Sequence, residues 1–173
     1  MATRIVSLIG NPRPESRTRA AAVQAAELVG GRIGPVEQEV LDLSALAPAL
    51  GAPSASAAVE AAVQTVLDAD VLVVASPTYK GAYTGLLKTF LDRLSSGALA
   101  STVALPLMVM GDARHALAVE VHLRPVLVEL GAFVPTPGGV LLESQFDQAD
   151  KVLDAWARRV APQVEAAVSC ISY

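Results

Sequence analysis

Short apolar runs alternate along the chain with segments in which apolar residues recur every three or four positions. The apolar runs span residues 4–9, 36–41, 71–75, 102–110 and 133–142, the last interrupted at 135–139. Runs of this length, bounded by polar or turn residues, are typical of strands buried on both faces of a parallel sheet. The pattern therefore predicts five strands, of which 36–41 is the weakest.

The segments between these runs have the apolar spacing of helices that pack one face against a core. They span residues 19–29, 54–67, 82 to about 94, 116–130 and 147–168. Ser16 or Thr18 can cap the first helix, and Gly30 and Gly31 are expected to end it. The stretch that contains Pro48, Gly51 and Pro53 is predicted to be a loop.

Five strands that alternate with five helices predict parallel pairing and right-handed crossovers. The length and the element count favour a flavodoxin-like doubly wound sheet of order 2-1-3-4-5, with helices on both faces. One glycine follows the first strand where a dinucleotide-binding fold carries Gly-x-Gly-x-x-Gly, so the Rossmann fingerprint is absent. We expect residues 1–173 to form one domain.

Polar segments follow strands one, three and four, whose carboxyl ends are neighbours in this strand order. These segments are residues 11–18, 76–81 and 111–115, and we expect them around one crevice. The first offers the hydroxyls of Ser16 and Thr18, the charges of Arg13 and Arg17, and the free N–H groups of a helix N-terminus. This combination predicts a phosphate site. The alternative is a capped helix with two solvated arginines.

The second and third segments are less charged than the first. Thr78, Tyr79 and the neighbouring main-chain amides suit a planar, mostly apolar ring with a polar edge, and Lys80 supplies the only charge. Gly111 and His115 would close the other side of the ring. The alternatives are that Tyr79 is a packing residue and that His115 is structural.

Composition narrows the function classes. The chain is 53% apolar and 17% charged, yet no apolar run reaches the length of a membrane span. A net charge of −4 and a pI near 5.1 argue against nucleic acid or an anionic membrane as a partner. The single cysteine, Cys170, excludes an internal disulfide and a Cys-ligated metal cluster. A strand so close to the first residue leaves no room for a secretory signal, so we expect a cytoplasmic protein. We expect no metal site.

Three stretches resemble the NAD(P)H-dependent FMN reductases. G-N-P-R-P-E-S-R-T resembles their phosphate loop G-S-P-R-x-x-S-x-[ST], with Asn11 in place of the commoner Ser. S-P-T-Y-K-G-A-Y-T-G-L-L-K-T-F-L-D resembles their P-x-Y-x-x-x-x-[ST]-G-x-L-K-x-x-L-D block. H-A-L-A-V-E-V-H-L-R-P-V-L is similar to the sulfonate-utilisation branch, which supplies reduced FMN to a partner monooxygenase.

The resemblance spans Ile5 to about Leu142 and implies a flavodoxin-like fold, FMN, and NADPH or NADH. It also implies a homodimer or a homotetramer with flavin sites near the subunit contacts. The implied phosphate contacts are Asn11, Arg13, Ser16, Arg17 and Thr18. The residues implied for the ring and ribityl chain are Pro77, Thr78, Tyr79, Lys80 and Gly81, with Gly111 and His115 at the ring edge. Hydride passes from nicotinamide to flavin, so these residues position the rings and no catalytic acid or base is expected.

The predicted helix 116–130 is apolar almost all round, so it is either buried within the chain or, as we prefer, covered by a second subunit. Pro125 removes the hydrogen bond that the carbonyl of Val121 would accept. The resemblance implies a one-residue π-bulge here, with Val121 where an aromatic residue is expected and His122 after it. We hypothesise that the bulge exists and that FMN binds loosely, as a substrate that leaves reduced.

Two other functions are compatible with the same fold. One is a reductase that retains FMN and reduces a quinone, an azo dye or a metal oxyanion. The other is a flavodoxin-type electron carrier with no pyridine-nucleotide chemistry. The carrier is disfavoured because only 4% of the residues are aromatic and because the first loop uses arginines.

Overall fold

The computed structural model describes residues 2–52, 54 and 56–171. Within them, a single parallel sheet has the strand order β2-β1-β3-β4-β5. Its strands are β1 (Thr3–Ile9), β2 (Val36–Asp42), β3 (Val71–Pro77), β4 (Val103–Met110) and β5 (Gly139–Leu142). The predicted flavodoxin-like order is confirmed. Phe133 touches the sheet only through an isolated bridge to Val103, so β5 proper begins after the predicted interruption.

Six α-helices connect or flank these strands in the described residues. They are α1 (Arg17–Ile33), α2 (Ala47–Leu50), α3 (Ala57–Leu67), α4 (Gly85–Leu91), α5 (Arg124–Glu129) and α6 (Ala149–Ile171). None of the helices in this part of the chain is long and apolar enough to cross a membrane. Short 3₁₀ segments (Leu43–Leu46, Ala113–His115 and Glu143–Gln148) and a π-helix (Val119–Leu123) complete the backbone.

The sheet separates two apolar cores. Residues that alternate along β1, β3 and β4 point to opposite faces, so α1 and α6 cover one face while α3, α4 and the segment from the π-helix to α5 cover the other. All seven residues of β3 and all eight of β4 are buried. Burial on both faces explains why these strands are continuous apolar runs in the sequence.

The first helix is longer than the sequence pattern predicts. It continues through Gly30 and Gly31 to Ile33 and ends at Gly34, whose φ is +110°. A Cβ at Gly30 would lie 3.0 Å from Val36 Cγ2 and 3.2 Å from Ile5 Cδ1. Gly30 therefore allows α1 to approach the sheet closely, and the prediction that this glycine ends the helix is wrong.

Two predicted helix starts also differ from the structure. The helix expected at residue 54 begins at Ala57, because the Ser56 side chain accepts a hydrogen bond from Val59 N and so caps it. The stretch predicted as a loop forms the 3₁₀ turn Leu43–Leu46 and α2, with Pro48 in the first turn; Pro53 lies outside the described residues. The helix expected from Ala82 begins at Gly85, capped by Thr84.

Candidate functional site

A cavity of about 460 Å³ lies at the carboxyl ends of the central strands. Its lining residues are Asn11, Arg13, Pro14, Glu15, Ser16, Arg17, Thr18, Pro77, Tyr79, Val109 and Glu143. The fold thus brings together all five residues predicted for the phosphate and two of those predicted for the ring. Thr78, Lys80, Gly81, Gly111 and His115 are not among the lining residues.

The side chains of the first loop hold its shape. Asn11 is buried; its Nδ2 donates to Thr18 Oγ1 at 3.0 Å, and its Oδ1 accepts from Arg13 N at 3.0 Å. Ser16 Oγ accepts from Arg19 N at 3.1 Å and caps α1. Three of the predicted phosphate contacts, Asn11, Ser16 and Thr18, are therefore also the residues that fix the loop.

Backbone groups at the start of α1 remain free for a ligand. The N–H groups of Arg17 and Thr18 have no hydrogen-bond acceptor in the described part of the chain. They point out of the helix N-terminus, where the aligned peptide dipoles favour an anion. The site therefore offers an anion two main-chain donors beside the exposed guanidinium of Arg13.

The charges around the cavity are mixed. Within the described residues Arg13 has no acidic partner, whereas Arg17 Nη1 lies 3.7 Å from Glu143 Oε2 and its guanidinium lies 5.5 Å from the centre of the Phe146 ring. Glu15 also lines the cavity, in a left-handed conformation with φ +49°. The cavity lining is therefore not purely cationic.

Sequence reasoning missed four lining residues. Pro14 and Glu15 lie inside the segment that was singled out, and Val109 lies near the end of β4. Glu143 directly follows β5, and the rule that ligands bind beyond the carboxyl ends of strands would have found it. The sequence prediction used the ends of strands one, three and four, which are neighbours in the strand order.

A buried hydrogen-bond network joins the first loop to the second. Thr84 Oγ1 donates to the carbonyl of Gly10 and accepts from Leu87 N, while Thr84 N donates to Ser76 Oγ at 3.0 Å. The network ties the end of β1, the end of β3 and the start of α4 to one threonine. It fixes the position of the segment 11–18 relative to the shelf formed by Pro77 and Tyr79.

The main-chain amides expected to face a ring are partly used by the protein. Thr78 N donates to the carbonyl of Val109, and Tyr79 N donates to that of Ala82. Lys80 and Gly81 have φ values of +52° and +79° and form the tip of the Tyr79–Ala82 turn, outside the cavity lining. Thr78 Oγ1 is buried and has no hydrogen-bond partner among the described residues, but Thr78 does not line the cavity.

The third predicted segment lies outside the cavity lining. Ala113–His115 is a 3₁₀ turn that Asp112 caps by accepting from Arg114 N. The Arg114 side chain, which hydrogen-bonds Asp112, holds the pKa of this carboxyl below its usual range. His115 is half-buried at the end of this turn. The expectation that Gly111 and His115 flank a ring stays a prediction.

Within the helix predicted at 116–130, residues 116–117 form a turn and Val119–Leu123 form a π-helix. The predicted bulge around Val121 and His122 is thus confirmed, and α5 follows it with Pro125 in its first turn. Val121 is 55% exposed and Leu117 is 70% exposed in the isolated chain.

The sequence profile of a family described as NADPH-dependent FMN reductase matches residues 3–147. The chain belongs to this family. An FMN reductase (NADPH) from Pseudomonas aeruginosa is 34% identical over 168 residues, 95% of this chain and 90% of the relative. An NADH-dependent FMN reductase, SfnF, from Pseudomonas fluorescens is 33% identical over 147 residues, 83% of this chain and 78% of the relative.

A solved structure supports the same assignment. The apo form of an NADH:FMN oxidoreductase, EMOB, matches with a TM-score of 0.79 and 36% identity, over 98% of this chain and 88% of that chain. Membership of the FMN reductase family confirms the resemblance, the predicted enzyme class, and the use of FMN with a reduced nicotinamide. It sets aside the electron-carrier alternative.

The described residues fit FMN. The free N–H groups of Arg17 and Thr18 suit a terminal phosphate. Pro77, Tyr79 and Val109 provide an uncharged surface beside them. A cavity of about 460 Å³ is also within the usual range for small-molecule sites.

Proposed function

We propose that this cavity binds FMN as a substrate, that NADPH or NADH reduces it there, and that reduced FMN leaves the protein. The observation that carries the proposal is the pairing of free α1 N–H groups and Arg13 with the uncharged shelf of Pro77 and Tyr79 in one cavity. This arrangement matches a ligand that has a phosphate at one end and a flat ring at the other.

The residues of the chain act by positioning. FMN supplies the ring that accepts a hydride from reduced nicotinamide. The α1 N-terminus and Arg13 hold the phosphate, the Thr84 network fixes the distance from that site to Pro77, and Tyr79 packs against the ring. Because Tyr79 is 43% exposed, its ring can contact a ligand without first breaking an internal packing contact. No lining residue needs to donate or accept a proton in hydride transfer, so orientation supplies the rate enhancement.

Release of the flavin is supported by two features. The π-helix Val119–Leu123, which the resemblance links to flavin-releasing members, is present. The cavity lining also carries two glutamates, Glu15 and Glu143, as well as two arginines, which weakens its attraction for an anion.

Anaerobic titration with FMN followed by NADPH tests the proposal. We expect FMN to bind reversibly, NADPH to bleach it, and reduced flavin to pass through a filtration membrane that retains the protein. Flavin that stays with the protein in both redox states, together with rapid quinone turnover, would favour an FMN-retaining quinone, azo or metal-oxyanion reductase instead. If neither NADPH nor NADH is oxidised with free FMN or with a quinone, both functions are contradicted.

The proposal includes partners. Leu117, Val121 and Val128 are 70%, 55% and 54% exposed, and such exposed apolar side chains in and just before one helical segment suit a homodimer or a homotetramer. A flavin-dependent monooxygenase is the proposed acceptor of the reduced FMN. A cytoplasmic location is proposed as well, since a single exposed cysteine gives the chain no intramolecular disulfide.

A further inference from the structure

We propose that Glu143 sets the affinity of this site for FMN: it competes with the flavin phosphate for Arg17 and so keeps FMN a ligand that dissociates. The inference rests on the proposed function, because it concerns the same cavity. Glu143, which follows the edge strand β5, supplies a carboxylate that opposes phosphate binding.

The geometry places Arg17 between a ligand and Glu143. Glu143 Oε2 lies 3.7 Å from Arg17 Nη1, within ion-pair range but too far for a strong hydrogen bond. The Phe146 ring lies 5.5 Å from the same guanidinium. Both partners come from the segment Glu143–Gln148, directly after β5, and both Arg17 and Glu143 line the cavity.

A loose, exposed ion pair of this kind can be exchanged for another anion. Its side chains are 60% and 54% exposed, so the pair itself contributes little to stability. A phosphate at the α1 N-terminus would draw Arg17 toward itself. Glu143 would then lie near a second negative charge with its partner shared, and this repulsion opposes binding.

Of the two glutamates that line the cavity, Glu143 is the one whose arginine partner a bound phosphate would draw away. The other glutamate of the cavity, Glu15, lies 3.8 Å from Arg19, which also approaches Asp42. The phosphate therefore does not have to take an arginine away from Glu15. The effect of Glu143 should depend on the phosphate and not on the ring, because the shelf of Pro77 and Tyr79 belongs to β3 and to the turn that follows it.

The experiment compares two flavins that differ only in the phosphate. Dissociation constants for FMN and riboflavin are measured by fluorescence quenching with the unchanged protein, Glu143→Gln, Glu143→Ala and Glu143→Asp. Glu165→Gln, an equal change of charge on an exposed position of α6, is the matched control. We expect both neutral variants to bind FMN about two- to fivefold more tightly, the range of an exposed ion pair. Riboflavin affinity should be unchanged, and Glu143→Asp and Glu165→Gln should behave like the unchanged protein.

Each other outcome is decisive. Equal FMN affinity in the neutral variants, or an equal gain for riboflavin, would overturn the role of Glu143 and leave the proposed function standing. Failure of the unchanged protein to bind FMN at all would overturn both. The gain should also shrink in high salt, since screening weakens the repulsion between Glu143 and the phosphate.

Discussion

At the scale of single residues, the loop proposed to bind the phosphate separates the residues that fix its shape from those that are free to bind a ligand. Asn11, Ser16 and Thr18 satisfy one another or the backbone, so their loss would deform the loop. Arg13 and Arg17 make no contact that the loop needs for its shape. Their contribution to ligand affinity can therefore be measured without disturbing the fold.

Replacing Arg13 and Arg17 together by Gln should weaken FMN binding at least about tenfold, because hydrogen bonds to charged groups are worth ~1.5–3 kcal/mol each. Riboflavin affinity should hardly change, as measured by the same fluorescence titration. The double change of Arg158 and Arg159 to Gln, on α6 outside the cavity lining, removes equal charge and should leave FMN affinity intact. Unaltered FMN affinity in the first variant would refute the phosphate site.

Two adjacent glycines of α1, Gly30 and Gly31, have different surroundings, so replacing each should have a different effect on stability. A Cβ at Gly30 meets Val36, Gln38 and Ile5 at 3.0–3.2 Å, whereas one at Gly31 meets nothing within 4 Å. Gly31→Ala should stabilise the protein by about 0.5–1 kcal/mol through helix propensity. Gly30→Ala should be less stable than Gly31→Ala by about 1–3 kcal/mol because of overpacking. Urea unfolding of both variants measures the difference, and equal stabilities would contradict the close approach of α1.

At the scale of elements, the π-helix is fastened to the loop that precedes β5. Glu120 Oε2 pairs with Arg124 Nε, and Glu120 Oε1 accepts from Gly138 N at 2.7 Å. Arg124 donates to the carbonyls of Val134 and Thr136. The Glu120–Arg124 ion pair therefore holds the π-helix and the start of α5 against the loop of residues 134–138.

The Glu120–Arg124 pair should make stability depend on pH. The hydrogen bond from Arg124 holds the pKa of Glu120 below its usual range; the Gly138 N–H adds to this lowering and burial opposes it. Because the folded pKa is lower than the unfolded one, the pair stabilises above the ordinary glutamate pKa of about 4.3, and the contribution is lost as pH falls through the folded value.

The variant Glu120→Gln keeps the acceptor for Gly138 N and removes the charge. Its melting temperature should lie below that of the unchanged protein at pH 7, and the gap should close as the solution is acidified below about pH 4. Glu165→Gln should show no such gap at any pH. A gap for Glu120→Gln that persists undiminished in acid would mean that packing, not charge, is responsible.

At the scale of the whole molecule, both faces of the sheet are covered, yet one apolar surface remains open. Leu117, Val121 and Val128 lie exposed on the π-helix and α5 side. Beside them is a groove lined by Leu91, Pro125, Val126 and Leu130, with Lys88, Asp92 and Glu129 also in its lining. An apolar surface with a few charged side chains beside it is typical of a contact between subunits.

Changing both Leu117 and Val121 to Lys should convert the proposed oligomer to monomers, because a charge buried in a subunit contact is costly. Light scattering coupled to size exclusion gives the mass. Val40→Lys, on the exposed side of the edge strand β2, is the control and should leave the mass unchanged. A monomer already in the unchanged protein would disprove the proposed oligomer.

The sequence by itself determined the strand order, the helix-covered faces and the polar segment 11–18 that lines the cavity. Buried parallel strands, amphipathic helices and a polar loop at a helix start are local patterns, so they can be read along the chain. Only the tertiary structure decided that Gly30 packs against the sheet, that Lys80 and Gly81 lie outside the cavity lining, and that Glu143 reaches Arg17. These contacts depend on how the folded sheet places separate segments of the chain. Residue spacing alone does not give the distance between such segments.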